Sequence, residues 1–308
     1  MSNTVSSPLS GYLGQWTSLF DRFWFRPADP AVLSLLRLMA GIVIFYTHLA
    51  WTLELDTFFG SHGVLPATYR SDLSVDFRFA WSHFDWLPND HWLMPVHLLT
   101  LAVMLLFTLG LWTRSTGILT AFFVISYANR ATGALFGLDQ VNAFLAIYLA
   151  IGPSGARFSI DNWLRKRQGR GAIPPSIMAN IAIRLIQIHL CIVYFFAGVG
   201  KLQGDTWWNG MAIWYAFASH EYQTLDMTWT AQHLWLVNLL TYVSLFWEVS
   251  YPFLIWPRLT RPIWIMLAIA VHLGIGLAMG MMTFGYVMIV ANMSFLRPEW
   301  FPTFWPSC

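Results

Sequence analysis

Apolar residues in this chain run in long, nearly unbroken stretches. They lack the one-sided periodicity of a water-facing helix and the alternation of a strand. The stretches are Val32–Leu53, Leu93–Trp112, Thr116–Asn129, Leu138–Gly152, Ile177–Val199, Leu234–Trp256, Pro262–Met281 and Thr283–Leu296. Crossing roughly 30 Å of hydrocarbon takes about 20 residues at about 1.5 Å each. The third, fourth and eighth stretches are short by that measure, so they are expected to tilt little, to sit behind neighbours or to re-enter. The pattern predicts an all-α, polytopic integral membrane bundle of about eight transmembrane helices.

Two longer polar and aromatic segments, Glu54–Trp92 and Gly200–His233, separate the stretches on one side. Within the second, Thr206–Ala218 carries Trp207, Trp208, Trp214 and Tyr215, the composition of interfacial helices lying over the outer face of the bundle. With no fixed-period repeat and no low-complexity tract, residues 1–308 are read as a single domain with a short cytoplasmic segment at 1–20. Met1–Leu19 is Ser-rich, with no Lys or Arg ahead of an apolar core, and is not expected to be a cleaved signal.

Composition strengthens the membrane reading. Only 10% of the 308 residues are charged and 57% are hydrophobic, against about a quarter charged in soluble domains. The 18 Trp suit a protein anchored at two interfaces. A net charge of +2, without a basic stripe, speaks against nucleic acid as a partner. Neither Cys191 nor Cys308 has the spacing of a metal site or disulfide framework, and no metal is expected.

Charge also sets an expected orientation. If the N-terminus is cytoplasmic and eight spans follow, the inner segments hold Arg22, Arg26, Arg114, Arg157, Arg165, Lys166, Arg167, Arg170, Arg258, Arg261 and Arg297. The outer segments hold Arg70, Arg78, Arg130 and Lys201. That bias matches the positive-inside rule and predicts both termini in the cytoplasm, in what is expected to be a bacterial inner membrane.

Ionisable and amide side chains are costly at bilayer depth, so each demands a reason. The first span holds Arg37 and His48, the fifth Arg184, Gln187 and His189, the sixth Glu248, the seventh His272 and the eighth Asn292; Gln140 and Asn142 open the fourth. Arg37 and Glu248 are expected to share a network, His48 reads more readily as a satisfied core histidine, and His97, close to a helix start, as an interfacial residue. Lys201 ends an apolar run behind the small residues Ala197-Gly198-Val199-Gly200. A lysine there either snorkels to the interface or stands desolvated as a base.

These residues resemble a known family. Tyr194-Phe195-Phe196-Ala197-Gly198-Val199-Gly200-Lys201-Leu202 is similar to the segment carrying the catalytic lysine of vitamin K-dependent γ-glutamyl carboxylase. Phe284-Gly285-Tyr286-Val287-Met288, followed by Pro298-Glu299-Trp300, resembles that enzyme's last span and exit. His272 precedes Tyr286 by the interval the family shows, Glu248 stands where the carboxylase has aspartate, and Gly110-Leu111-Trp112-Thr113-Arg114 matches a helix end. Arg37 followed by Gly41 fits the first helix of the wider HTTM (horizontally transferred transmembrane) family. Phe58-Phe59-Gly60-x-x-Gly63 and Gly137-Leu138-Asp139-Gln140-Val141-Asn142 resemble its bacterial members.

The resemblance implies a chemistry. In the carboxylase a lysine deprotonates a quinol, O2 adds, and the strong base formed drives carboxylation with CO2 while the quinone epoxide is left. Carried over, Lys201 would be the base on the extracytoplasmic side and His272 would orient the quinol. Arg37, Gln140, Asn142, Arg184, His189, Glu248, Tyr286 and Asn292 would line the binding pocket. The implied cofactors are a reduced quinone, O2 and CO2, and the implied partners are a membrane lipid or quinone and a small-molecule or peptide substrate. The carboxylase has a large lumenal domain absent from these 308 residues, and its paired lysines are Gly200-Lys201 here. The expectation is therefore retained quinol chemistry without the protein substrate. The alternatives are a non-catalytic binding or immunity-type protein on the same fold, and a transporter, for which no inverted repeat is evident.

Overall fold

A computed structural model describes residues 8–64 and 81–297. Arg70, Arg78, Pro298-Glu299-Trp300 and Cys308, which entered the charge count and the motifs, lie outside the described residues. Within them the chain is helical throughout, with one isolated bridge between Ala28 and Ser176 and no strand.

A helix stands at each of the eight apolar stretches. After α1 (Pro8–Phe25) come α2 (Ala31–Ala50), the short α3 (Leu55–Phe59), α4 (Leu93–Leu109), α5 (Thr113–Arg130), α6 (Gly137–Ile151) and α7 (Ile160–Arg167). Then follow α8 (Ile177–Lys201), the short α9 (Asp205–Trp208) and α10 (Ala212–Ala218), α11 (Leu234–Leu254), α12 (Arg261–Met279) and α13 (Met282–Asn292). Four helical stretches are long and apolar enough to cross a bilayer: Ala31–Phe59, Asp90–Leu109, Ile177–Lys201 and Arg261–Met279. Gly137–Ile151 and Met282–Phe295 are apolar but shorter. Length and composition thus support four crossings where the sequence reading expects eight.

Local chemistry sets the helix ends. Ser176 caps α8 by accepting from Ala179 N at 3.1 Å, and Ser159 caps α7 by accepting from Asn162 N at 3.0 Å. Gly110, at φ 73°, closes α4 in the left-handed conformation, which costs glycine least. Pro262 opens α12, where its missing N–H is no loss.

The core lies among α2, α6, α8, α11, α12 and α13, with Leu33, Leu36, Leu145, Leu190, Trp247 and Val287 all shut from solvent. The outward faces are apolar too: Leu99, Phe246, Phe253 and Met266 are each about 60% exposed or more. In water such a surface would aggregate; facing lipid, it is the expected one. The two ends of the bundle differ in charge. The end shared by Arg37, the Gly110 turn, α7 and the start of α8 collects all the basic residues assigned above to the inner side. Among the described residues the opposite end has Arg130 and Lys201.

Candidate functional site

Lys201 is the last residue of α8, and its position follows from the glycine one turn earlier. A Cβ on Gly198 would lie 2.9 Å from Val249 Cγ2 and 3.0 Å from Val249 N, so only glycine lets α8 and α11 approach this closely. That approach brings Lys201 Nζ against Glu248, whose Oε2 accepts from it in an ion pair. The side chains are 28% and 11% exposed. The Trp207 ring lies 5.1 Å from Nζ, on the segment just past the helix. Lys201 is therefore partnered, not the isolated amine that sequence suggests.

Below the pair runs a buried chain of hydrogen bonds. Tyr251 donates to Asn292 Oδ1 at 2.6 Å, and Asn292 Nδ2 donates to the Tyr194 oxygen at 2.9 Å. The Tyr194 hydroxyl lies 2.7 Å from His272 Nε2. With Asn292 supplying the hydrogen on one side, the Tyr194 proton goes to His272 Nε2, which assigns the histidine proton to Nδ1. That Nδ1 is buried and has no partner. The charge of Lys201 reaches His272, and that of Glu248 reaches Tyr194. Trp247 and Tyr251 pack on Tyr194 at ring-centre distances of 4.7 and 4.2 Å and wall the chain from lipid.

Of the residues expected at the site, Lys201, Glu248, His272 and Asn292 come together. The expected Arg37–Glu248 network is not formed. Arg37 lies at the basic end and is fully buried. Its Nε donates to Ser154 O at 3.1 Å, and its Nη1 to Phe107 O at 2.7 Å and Thr108 O at 2.9 Å; Nη2 donates to Phe158 O. The Gly110 turn exposes the last carbonyls of α4 to this guanidinium, and the carbonyls saturate it without a carboxylate.

The others take up separate places. Arg184 donates to Gln187 Oε1 at 2.9 Å and stacks over Phe23 at 4.4 Å, at the basic end. His189 stacks on Phe144 at 4.3 Å and shares a hydrogen bond with Tyr148. Tyr286 reaches Met39 O at 3.4 Å in the α2–α13 contact. Gln140 is exposed, and Asn142 is buried with Oδ1 unpartnered in a narrow cavity shared with His48, Tyr127 and Asp139. His97, beside that cavity, is fully buried and held by Thr52 at 2.8 Å and Tyr127 at 2.6 Å, a structural histidine and not the interfacial one expected.

Tyr194 and Tyr251 are the site residues that sequence reasoning passed over. Their signal was helical spacing: Tyr194 and Gly198 lie on the Lys201 face of α8, and Tyr251 follows Glu248 by three. Chemically, the assembly offers a proton acceptor in the Lys201–Glu248 pair and a buried N–H donor at His272. No group of three or more His, Cys, Asp or Glu among the described residues could hold a metal ion.

A family model described as the HTTM domain matches residues 25–300 of the chain. No solved structure matches it.

Proposed function

Since the chain belongs to the HTTM family, on a match that covers residues 25–300, we propose that it is a membrane-embedded enzyme for a reduced quinone or similar phenolic lipid. Its base is the Lys201–Glu248 pair. One observation carries the reading: an ion pair at the end of a membrane helix lies within electrostatic reach of a buried histidine whose N–H has no acceptor. Unpartnered polar atoms are rare in apolar interiors, and one next to a titratable pair marks a place prepared for a ligand oxygen.

A hydroquinone fits these residues, because its phenolic oxygen both accepts and donates. When bound it would supply an acidic O–H and, with O2, the oxidising chemistry the family resemblance implies. The protein's part is proton handling. Lys201 and Glu248 share one proton between an amine and a carboxylate, so whichever of the two is left unprotonated can take a second from the ligand. His272 Nδ1–H would hold the same oxygen. The chain Tyr251–Asn292–Tyr194 fixes the histidine tautomer that makes this donation available. Lys201, as the more exposed partner, is the group placed to touch the ligand. We place this chemistry on the extracytoplasmic face of a bacterial inner membrane, with both termini in the cytoplasm, on the charge bias of the two ends.

The test is to supply the purified full chain in nanodiscs with reduced menaquinone and air, and to follow quinone epoxide by mass spectrometry. Hydroquinone plus O2 gives epoxide plus water, so the atoms balance without a further reductant. Wild type is expected to form epoxide and Lys201→Met to lose it while staying folded. Quinol binding without turnover in wild type would favour the non-catalytic reading; neither binding nor turnover would sink both.

A further inference from the structure

The basic end carries a second feature that the quinol reading does not use. Amphipathic helix α7 (Ile160–Arg167) lies at this end with Trp163 and Leu164 exposed, next to the exposed Phe158 and to Trp112, which is 68% exposed on the adjoining turn. Exposed aromatic and aliphatic side chains on a short basic helix suit the headgroup boundary of a bilayer. Between the Trp112 turn, α7 and the following loop is an open cavity of about 330 Å³. It is lined by Arg165, Gln168, Arg170 and Asn162 on its polar side and by Leu111, Leu164 and Ile173 on its apolar side.

The cavity's charge balance is positive, two arginines against one carboxylate, and the oxygens of that carboxylate are engaged. Asp161 accepts from Trp112 N at 2.9 Å, from Thr113 N at 2.7 Å and from the Thr113 hydroxyl at 2.6 Å, capping α5. Arg165 donates Nε to Gly171 O at 2.8 Å, which holds its head at the cavity, and the Arg170 guanidinium makes no hydrogen bond among the described residues. Asn162, nine-tenths buried, has an Oδ1 with no partner. Two guanidiniums, an unpartnered amide acceptor and an apolar wall facing lipid are complementary to a phosphate that carries a hydroxylated headgroup and acyl chains.

We infer that this cavity binds the headgroup of an anionic phospholipid. Arg165 and Arg170 hold the phosphate, and Trp112, Leu111 and Leu164 rest against the glycerol and upper acyl carbons. Surface basic residues attract anionic lipid in general. What separates a site from that background is the cavity, and the experiment is built on the distinction.

The full-length chain, in detergent, would be titrated with dioctanoyl phosphatidylglycerol, with dioctanoyl phosphatidylcholine and with inorganic phosphate, following tryptophan fluorescence and confirming retained lipid by native mass spectrometry. Phosphatidylglycerol is expected to bind saturably and phosphatidylcholine not to. Arg165→Gln/Arg170→Gln should weaken the former on the order of tenfold or more. Lys166→Gln/Arg167→Gln, which removes the same charge from the same segment outside the cavity, should weaken it far less. Equal losses in the two double variants would reduce the effect to diffuse electrostatics and overturn the site. Equal affinity for both lipids would overturn it too, and inorganic phosphate displacing the lipid at comparable concentration would reassign the cavity to a free anion. The substituted side chains lie at the surface, so folding is expected to be kept; a thermal unfolding scan of each variant checks it.

Discussion

Arg37 and Lys201 each bring a positive charge into apolar surroundings, at opposite ends of the bundle, and the partners around them differ in kind. Arg37 is fully buried and its donors reach four backbone carbonyls, from Phe107, Thr108, Ser154 and Phe158. Lys201 is partly exposed, meets a single carboxylate and has its charge within reach of His272, whose Nδ1 is buried without a partner. Both residues looked equally expensive in the sequence. The difference lies in completion: the Arg37 nitrogens all find acceptors within the fold, whereas near Lys201 a buried histidine nitrogen is left without one.

The largest expected effect breaks the comparison at the Arg37 end. Arg37→Met would take the side-chain donor from four carbonyls, of which Phe107 O keeps another, from Gly110 N at 3.0 Å, and losing a fully buried charged partner costs about 3–5 kcal/mol. The variant should give little monodisperse protein in detergent, with a melting temperature well below wild type. Gly110→Ala attacks the same knot from the backbone. Its φ of 73° disfavours a side chain, and the new Cβ would meet Arg37 Nη1 at 2.5 Å. A loss of about 1–3 kcal/mol is expected there. An Arg37→Met protein that melts like wild type would show that the carbonyl cage contributes little, and the contrast with Lys201 would fail.

The next effect sharpens the other end. Lys201→Met leaves Glu248 buried against α8 with no cation, at a cost of about 1–3 kcal/mol. Adding Glu248→Gln removes the stranded charge, so the double variant should recover most of that stability while recovering no turnover. Comparing the four proteins isolates the pair from each residue's own packing. If the two substitutions simply add, the ion pair is not an energetic unit and its proposed role as a shared base loses its footing.

How much of this was readable beforehand follows from the same physics. Helix positions were legible because long apolar runs leave a one-dimensional signature, and a helix stands at every expected stretch, though four of them are long and apolar enough to cross. The basic end was legible for a like reason, since charge bias is carried by the loops themselves. Pairings between spans were not. Glu248 had two candidate cations, and which one it meets depends on the close approach of α8 and α11 at Gly198 and on the carbonyls freed at Gly110, both three-dimensional facts. The sequence reading therefore chose the wrong partner for Arg37 and left Lys201 alone. Tyr194 escaped notice because tyrosine is unremarkable in an apolar helix until a neighbour needs its hydroxyl. Gln140 was chosen for its place at the entrance of a span and in a motif, and His189 for its depth, and neither says which way a helix turns its side chain.

The smallest expected effect extends the lesson to a histidine outside the membrane helices. His83, in the segment leading to α4, is buried with Nδ1 2.6 Å from Ser126 Oγ and Nε2 unpartnered. Burial lowers its imidazole from 6.5 to about 4, despite the opposing pull of Asp85. A histidine whose folded value is depressed binds its proton more tightly when unfolded, so protonation favours the unfolded chain. Its contribution is therefore fully present above pH 6.5 and is lost as the pH falls toward 4. Between pH 7 and 5.5 the loss should come to roughly 1 kcal/mol or less, the opening of the outer segment absorbing part of it. Thermal unfolding of wild type and His83→Gln at both pH values isolates the term, since glutamine keeps a polar partner for Ser126 and cannot titrate. The glutamine protein should show a flatter pH dependence by that amount. Identical slopes would mean that His83 binds its proton as readily in the fold as in the unfolded chain, reaching water through an opening of its own. An unpartnered nitrogen would then no longer be enough, by itself, to mark a prepared site, and the weight placed on His272 Nδ1 would have to rest on its neighbours Lys201 and Glu248 alone.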